Sequence, residues 1–368
     1  MREEKSLSDE LRRLAENTEG MSASTALGVW ARHLNRLLEN PEGLFTERYA
    51  PLVQAEAAQG GKRPFLSVIT RTQGHRPALL REMLLSLAAQ TDTDFELLLI
   101  AHRAGEEERA EIERCLGEMP PSFRRRTRLL TLDRGNRTAP LNLGFAHARG
   151  EYAAVLDDDD LVFDDWVERF HDAAPHASGR ILHAYVVTQK WELLPGKNGP
   201  LPRSAAGPGA ECCGEFRFAR QLSVNLCPLL GLAFPTVYFQ TWGMLFDESL
   251  TTTEDWDYLM RLAPMAGVSD IRRPTGLYRL WQNADNSQTL HPQQEWEANY
   301  ARIQRKFRLM PMLFPPNCDK VERVDRYLPV ITPRRVLFKA RCRRLVPRPI
   351  WRAARSFYRA LGGKRWLG

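Results

Sequence analysis

Between Phe65 and Asp160 short apolar runs alternate with amphipathic stretches, and nothing else in the chain constrains its fold as strongly. Phe65–Thr70 and Phe95–Ile100 read as buried strands, since a short apolar run between turn signals suits a strand covered on both faces. Between them Leu79, Leu80, Met83, Leu84 and Leu87 recur at helical spacing behind Pro77, a residue tolerated in a first helical turn. Glu106–Leu116 reads as a polar helix and Arg128–Leu132 as a third strand. Pro140–Ala148 reads as a helix closed by Gly150, and Tyr152–Leu156 as a fourth strand. Strands separated by helices imply βαβ units and a mainly parallel sheet, so the expected class is α/β, Rossmann-like, with flanking helices. Such sheets bind ligands beyond the carboxyl ends of their strands. The fourth strand runs straight into Asp157-Asp158-Asp159-Asp160.

The flanking regions are less regular. Residues 1–62 predict a helical N-terminal extension, with Leu7, Leu11 and Leu14, then Trp30, Leu34, Leu37 and Leu38, at helical spacing. Pro41 and Gly43 interrupt it, and Gly60-Gly61 reads as a hinge. A central domain is expected over 63–290, divided into a first half, 63–165, and a second, 166–290. In the second half Ile181–Lys190 reads as a strand, 195–211 as a mobile Pro- and Gly-rich loop, and a helix is expected to begin near Thr253. Leu226–Phe239 is nearly apolar, but it falls short of the ~20 residues of a membrane span and contains Pro228 and Pro235; it reads as core. A helical segment is expected over 291–332 and a basic amphipathic tail over 333–368.

Composition narrows the class. Hydrophobic residues make up 43% and charged residues 26%, ordinary for a soluble globular protein. The six cysteines match neither a disulfide framework nor a zinc site, and no signal peptide is visible, so a cytoplasmic setting is expected. From Arg326 onward there are 13 basic and no acidic residues, which against a net +7 for the chain leaves −6 on the rest. The tail interleaves Val336, Leu337, Ala340 and Leu345 with Arg and Lys, then adds Trp351, Phe357, Tyr358 and Trp366. That pattern suits the anionic inner face of a membrane, making the protein peripheral there. Docking on the chain's own acidic body is the alternative. Nucleic-acid binding is not expected, because no recognition motif accompanies the charge.

Three segments carry chemistry. Four carboxylates packed at a strand end repel one another, and a divalent cation (Mg²⁺ or Mn²⁺) removes that cost while bridging substrate phosphates. An Asp-x-Asp formed by Asp157 and Asp159 suits it; a solvated loop or helix cap is the plainer reading. Thr253-Glu254-Asp255-Trp256-Asp257 places carboxylates in a first helical turn, where the dipole favours their ionised form. Asp255 there meets the first requirement of a general base, although charge-matched helix starts are common. Arg134–Gly144 is a polar, positive stretch before a helix N-terminus, a setting that binds phosphate.

Taken in order, these pieces resemble the family-2 glycosyltransferases of GT-A fold. The resemblance rests on Leu87–Ile100, Asn142-x-Gly144, Ala148-Arg-Gly-Glu-Tyr152, Leu156–Asp160, Phe246–Leu250, Glu254–Leu262, Tyr278-Arg279 and Asn286-Ser287. It implies an inverting transfer of a sugar from a nucleotide-diphosphate donor to a hydroxyl of a glycan or lipid-linked acceptor, in surface polysaccharide or glycolipid synthesis. By resemblance, Asp157 and Asp159 would hold the cation and diphosphate, with Asp158 and Asp160 beside them. Asp255 would be the catalytic base, supported by Glu254, and Thr70, Arg71 and Thr72 would lie against the nucleotide. Asn142, in the Asn-x-Gly motif, would contact the substrate or nucleotide, as would Trp281. Three positions depart from the family pattern: Ala101-His102-Arg103 replaces an expected acid, Leu141 replaces an Arg that Arg137 is expected to replace, and Trp281 replaces a His. Phe234, Tyr238, Phe239 and Trp242 are expected either to stack on sugar rings or to pack in the core. A non-catalytic module that binds a nucleotide sugar or serves as a scaffold is the competing reading.

Overall fold

A computed structural model of the chain describes residues 23–39, 43–177, 179–196, 201–282 and 291–310. The Leu7–Leu14 helix, the Asn286-Ser287 motif, the end of the 291–332 segment and the basic tail lie outside the described residues.

The strands are β1 (Leu66–Thr72), β2 (Phe95–His102), β3 (Thr127–Leu132), β4 (Tyr152–Val155), β5 (Leu161–Val162), β6 (Ile181–Leu194), β7 (Leu201–Ser204), β8 (Gly209–Cys212), β9 (Leu232–Pro235) and β10 (Val268–Trp281). The helices of eight or more residues are α1 (Ala23–Asn35), α2 (Ala50–Ala58), α3 (Pro77–Ala88), α4 (Glu106–Gly117), α5 (Ala139–His147), α6 (Trp166–Ala177), α7 (Glu254–Ala266) and α8 (Gln293–Leu309). One sheet runs in the order β3-β2-β1-β4-β9-β6-β10-β5, with β7 and β8 paired to β6.

The α/β expectation holds, and the parallel block is the one the periodicity marks. β3, β2, β1 and β4 are all parallel. Every residue of β2 is buried, as a strand covered by helices on both faces requires. α5 packs so closely on this block that a Cβ at Gly144 would lie 2.4 Å from Ile69 Cγ2. That crowding explains why Asn142-x-Gly144 needs its glycine.

Beyond β4 the sheet is mixed. β9 lies between β4 and β6 and runs antiparallel to both, while β6 and β10 are parallel. Because Tyr152 at the start of β4 faces Pro235 at the end of β9, the chain leaves β9 at the edge of the sheet opposite the aspartates. It then climbs back along α5. Asn142 exchanges hydrogen bonds with the backbone of Phe246, and Asn136 and Thr138 bind the carbonyl of Leu250. This return path carries the start of α7 to the same edge as Asp157.

The 195–211 loop is corrected in its described part. Leu201–Ser204 and Gly209–Cys212 pair with β6 as short antiparallel edge strands. Pro202 is tolerated there because an edge strand can spare a donor.

The described part of the N-terminal extension packs on both halves: Glu56 of α2 pairs with Arg128, His147 and Arg149 of the first, and the residues before it reach the second. Tyr49 and Arg48 bond to Glu248, and Asn35 to Gly243. α8 braces α7: Lys306 bonds Asp247 and lies 2.8 Å from Asp257, which also accepts from Arg261 at 2.9 Å. Among the described residues no helix is long and apolar enough to cross a membrane, and Cys115, Cys212, Cys213 and Cys227 are free thiols.

Candidate active site

The C-terminal ends of β1 and β4 lie side by side, so the turn after β1 faces the four aspartates. Arg71, on β1, donates to Asp157 Oδ1 at 3.0 Å, to Glu254 Oε1 at 2.8 Å and to the Arg137 carbonyl at 2.6 Å. Thr72 donates to Asp158 Oδ2 at 2.6 Å. Arg76 precedes α3 and bridges Asp158 and Asp159, each at 2.7 Å. Asp160 accepts the backbone N–H of Arg279 at 2.8 Å. The Arg279 guanidinium binds the Asp159 carbonyl and lies 5.1 Å from the ring centroids of both Trp191 and Trp281.

The other wall is the start of α7. Thr253 caps it in the left-handed region, φ 61°, where a β-branched residue is rarely found. Neighbouring Thr252 is fully buried and held by Asn299 of α8 at 2.9 Å, so tertiary packing imposes this conformation. The strained cap sets the direction of Glu254 and Asp255. Glu254 is bonded by Arg71 and paired with Arg137 Nε at 3.1 Å. Asp255 has no ion-pair partner among the described residues and accepts a hydrogen bond from Asn225 Nδ2 at 2.9 Å.

These settings split the titrations. Burial works against the charge of Asp157 and Glu254, but Arg71 and Arg137 outweigh it and hold both carboxyls below their ordinary values. Burial, with Glu254 adding to it, pushes Asp255 up to about 6. Asp159 is raised by burial and by Asp158 and Asp157 despite Arg76, and Asp160 well above the ordinary value by burial and Asp159. Burial and the charges of Asp160 and Asp255 raise the Tyr278 phenol, placing it in the field of both walls. His102, at the end of β2, is held low by burial and contacts the Arg134 carbonyl at 3.2 Å.

Six carboxyl groups, Asp157–Asp160, Glu254 and Asp255, therefore face three guanidiniums, those of Arg71, Arg76 and Arg137, while the Arg279 guanidinium pairs with Glu82 and touches the cluster at the Asp159 carbonyl. The excess negative charge shows in the raised Asp159 and Asp160. Among the described residues no three His, Cys, Asp or Glu side chains form a ready-made metal cage. The donor set fits a hard cation that takes one or two carboxylates and completes its shell with water and phosphate oxygens. Asp157 and Asp159 qualify, since a carboxylate can accept from an arginine and still offer lone pairs.

The structure thus brings together Arg71, Thr72, Arg137, Asp157, Asp158, Asp159, Asp160, Glu254 and Asp255, with Trp281 attached through Arg279. It uses several of them differently from expectation. Asp158 is spent on Thr72 and Arg76, and Asp160 on the β10 backbone, so neither faces a ligand as freely as Asp157 or Asp159. Thr70 is fully buried in β1 and its hydroxyl has no hydrogen-bond partner among the described residues. Asn142 is also fully buried and is a clamp on Phe246 and Glu248 rather than a substrate contact. Trp242 lies after β9, beyond the opposite edge of the sheet, and packs on Tyr238 with a centroid distance of 4.9 Å. Phe234 and Phe239 are core residues around Phe145. Arg76, Asn225 and Tyr278 had no assigned role in the sequence reading. Arg76 was findable, because it stands in a strand-to-helix turn at the ligand edge; Asn225 sits in irregular chain with no periodic signal.

Residues 67–217 match the family model described as glycosyl transferase family 2. The chain carries a family-2 glycosyltransferase domain. The match spans the strands that hold Arg71 and the aspartates and stops short of Asn225 and Asp255. The family-2 segment has curated relatives. Over 142 residues the chain is 28% identical to O-antigen biosynthesis protein RfbC of Myxococcus xanthus, covering 38% of this chain and 10% of that protein. Over 200 residues it is 25% identical to an uncharacterized glycosyltransferase, RC0461, of Rickettsia conorii (strain ATCC VR-613 / Malish 7), covering 50% of this chain and 30% of that one. The chain therefore spans less than a third of the length of either relative. A crystal structure of S. aureus TarS 1-349 in complex with UDP-GlcNAc is 14% identical, with a TM-score of 0.49 over 67% of this chain and 70% of that one. That likeness is too distant to bear on chemistry.

Proposed function

We propose that the site transfers a sugar from a nucleoside-diphosphate donor to an acceptor hydroxyl with inversion at the anomeric carbon. Asp255 carries this reading: it is the carboxylate of an arginine-rich site that, among the described residues, has no guanidinium bound to it, raised to about 6 and still ionised at neutral pH.

Asp255 takes the proton of the acceptor hydroxyl as that oxygen bonds to the anomeric carbon. The bond between the anomeric carbon and the β-phosphate oxygen breaks, and the nucleoside diphosphate leaves with the electron pair. Arg137 and Arg76 present guanidiniums toward the charge that grows on the leaving group. Arg71 holds Glu254 and Asp157 in register, so the donor side and the base move as one unit. Asp157 and Asp159 would hold Mg²⁺ or Mn²⁺, which would offset the charge of the departing diphosphate. The O-antigen name of the Myxococcus xanthus relative favours a growing surface polysaccharide or lipid-linked glycan as acceptor. The 333–368 tail would bring the enzyme to an anionic membrane surface.

The test is nucleoside-diphosphate release from a panel of nucleotide sugars, with Mg²⁺ or Mn²⁺ and with chelator. One donor turned over by the wild type and not by folded Asp255→Asn supports the reading. Folded protein that turns over none of them leaves a nucleotide-sugar-binding module instead.

A further inference from the structure

Asn225 stands in the irregular segment between the short helix Phe218–Gln221 and β9, outside the family match. Its amide is oriented from both ends. Its Oδ1 accepts the backbone N–H of Cys227 at 3.2 Å, which leaves Nδ2 to donate to Asp255 Oδ2 at 2.9 Å. The segment is itself anchored. Gln221 accepts from Leu226 N at 3.1 Å and donates to Cys227 Sγ at 3.1 Å, while Trp256 Nε1, next to Asp255, donates to the Gln221 carbonyl at 2.7 Å. α8 adds two ties, from Gln304 to the Leu222 carbonyl at 2.6 Å and from Tyr300 to the Ser223 carbonyl at 3.1 Å.

Building on the proposed reaction, we infer that Asn225 is the positioning residue for the base: it fixes one oxygen of Asp255 so that the other faces the acceptor hydroxyl. A fixed amide suits this task better than an arginine would. A guanidinium would stabilise the carboxylate and weaken it as a base, whereas a neutral N–H orients it at small cost to basicity. The groups that act on Asp255 from its surroundings are Glu254 on its own helix, Arg137 before α5, Cys227 on the Asn225 segment and Tyr278 on β10. Burial raises the Cys227 thiol and the Tyr278 phenol, so both stay neutral at working pH. Glu254 and Arg137 are bound to each other and stay charged, so a change at Asn225 acts on an otherwise constant field.

The test uses the full chain and two variants. Asn225→Ala removes the donor. Asn225→Asp keeps the oxygen that accepts from Cys227 and removes only the N–H, so it separates the loop staple from the base contact. Asp255 is titrated directly by NMR of ¹³C-carboxyl-labelled aspartate, with Asp255→Asn to assign the signal, and the acid limb of turnover is recorded alongside. The expected order of both midpoints is wild type, then Ala about half a unit to one unit higher, then Asp higher again, because a second carboxylate opposes ionisation. An unchanged Asp255 midpoint in both variants, with turnover lowered by one factor at every pH, overturns the inference and leaves Asn225 as a loop staple. A shifted midpoint in a protein whose wild type transfers no sugar keeps the positioning contact and removes the proposed reaction.

Discussion

The acids at the end of β4 and those at the start of α7 are equally crowded, yet they meet different fates. At β4, Asp157 is met by the guanidinium of Arg71 on β1, Asp158 and Asp159 by that of Arg76 in the turn after it, and Asp160 by a backbone N–H. At α7 the three acids diverge within one turn. Glu254 is shared by Arg71 and Arg137, and Asp257 is sealed in the core with Lys306 and Arg261. Among the described residues Asp255 between them accepts hydrogen bonds from neutral donors alone, the Asn225 amide and the Trp256 backbone N–H. Asp158, Asp160, Glu254 and Asp257 are buried and Asp157, Asp159 and Asp255 half-buried, so burial does not separate the two groups and their partners do. In the proposed reaction the acids paired with guanidiniums would serve as scaffold or phosphate-side groups, and Asp255, held by neutral donors beside them, would be the base.

The sharpest way to break this contrast is to remove the unpaired acid. Asp255→Asn should lower turnover by about 10²–10⁴-fold while the protein stays folded, as loss of a general base does. In the wild type, turnover should fall roughly tenfold per pH unit below about 6, where Asp255 takes up its proton. Normal turnover in the Asn variant, or a flat profile through pH 6, would place the base elsewhere.

Next in size is the buried acid of the same helix. Lys306→Met should destabilise the fold by about 3–5 kcal/mol in urea unfolding, because Asp247 and Asp257 lose a buried counter-charge. An unfolding midpoint that does not move would mean the charges are solvated and the core assignment is wrong.

Stability separates Asp255 from Glu254 by sign. The folded Asp255 carboxyl is raised from 3.8 to about 6, so its ionised form costs stability that is absent below pH ~4 and complete above ~6. Asp255→Asn should therefore stabilise the protein at pH 7.5 by up to about 3 kcal/mol and have little effect at pH 3.5. Glu254 is shifted the other way, so its charge stabilises the fold above the ordinary carboxylate range. Glu254→Gln should lower the melting temperature at pH 7.5. Equal effects from the two variants would erase the distinction between paired and unpaired acids.

The smallest expected effect lies at the rim. Trp191→Ala removes one of the two rings flanking Arg279 and should cost about 0.5–2 kcal/mol of folding stability, read as a small fall in the urea unfolding midpoint.

Much of the first half was legible before any coordinates. β1, β2, β3 and β4 begin and end within two residues of the expected limits; for β1, β2 and β4 the reason is that a strand buried on both faces must be continuously apolar, whereas β3 is a half-buried edge strand. The same logic located Asp157–Asp160 at the ligand edge. In the second half the pairing of Leu201–Ser204 and Gly209–Cys212 with β6 was not legible, since edge strands carry no apolar alternation and contain Pro and Gly. Asn142 was legible as a motif and misread as a contact. Its hydrogen bonds to Phe246 bridge a separation of 104 residues, which no local pattern reports.

From its sequence alone this protein is an α/β chain with acids at the end of one strand and at the start of one helix, because periodicity records which faces are buried and where each element stops. Which acid is neutralised, which is sealed in the core and which is left to act was decided by tertiary structure. Arg71 and Glu254 are 183 residues apart, Asn225 and Asp255 are 30 apart, and Lys306 and Asp257 are 49 apart. Charge compensation depends on distance in space, and only the folded sheet, with β9 reversed and α8 packed behind α7, sets those distances.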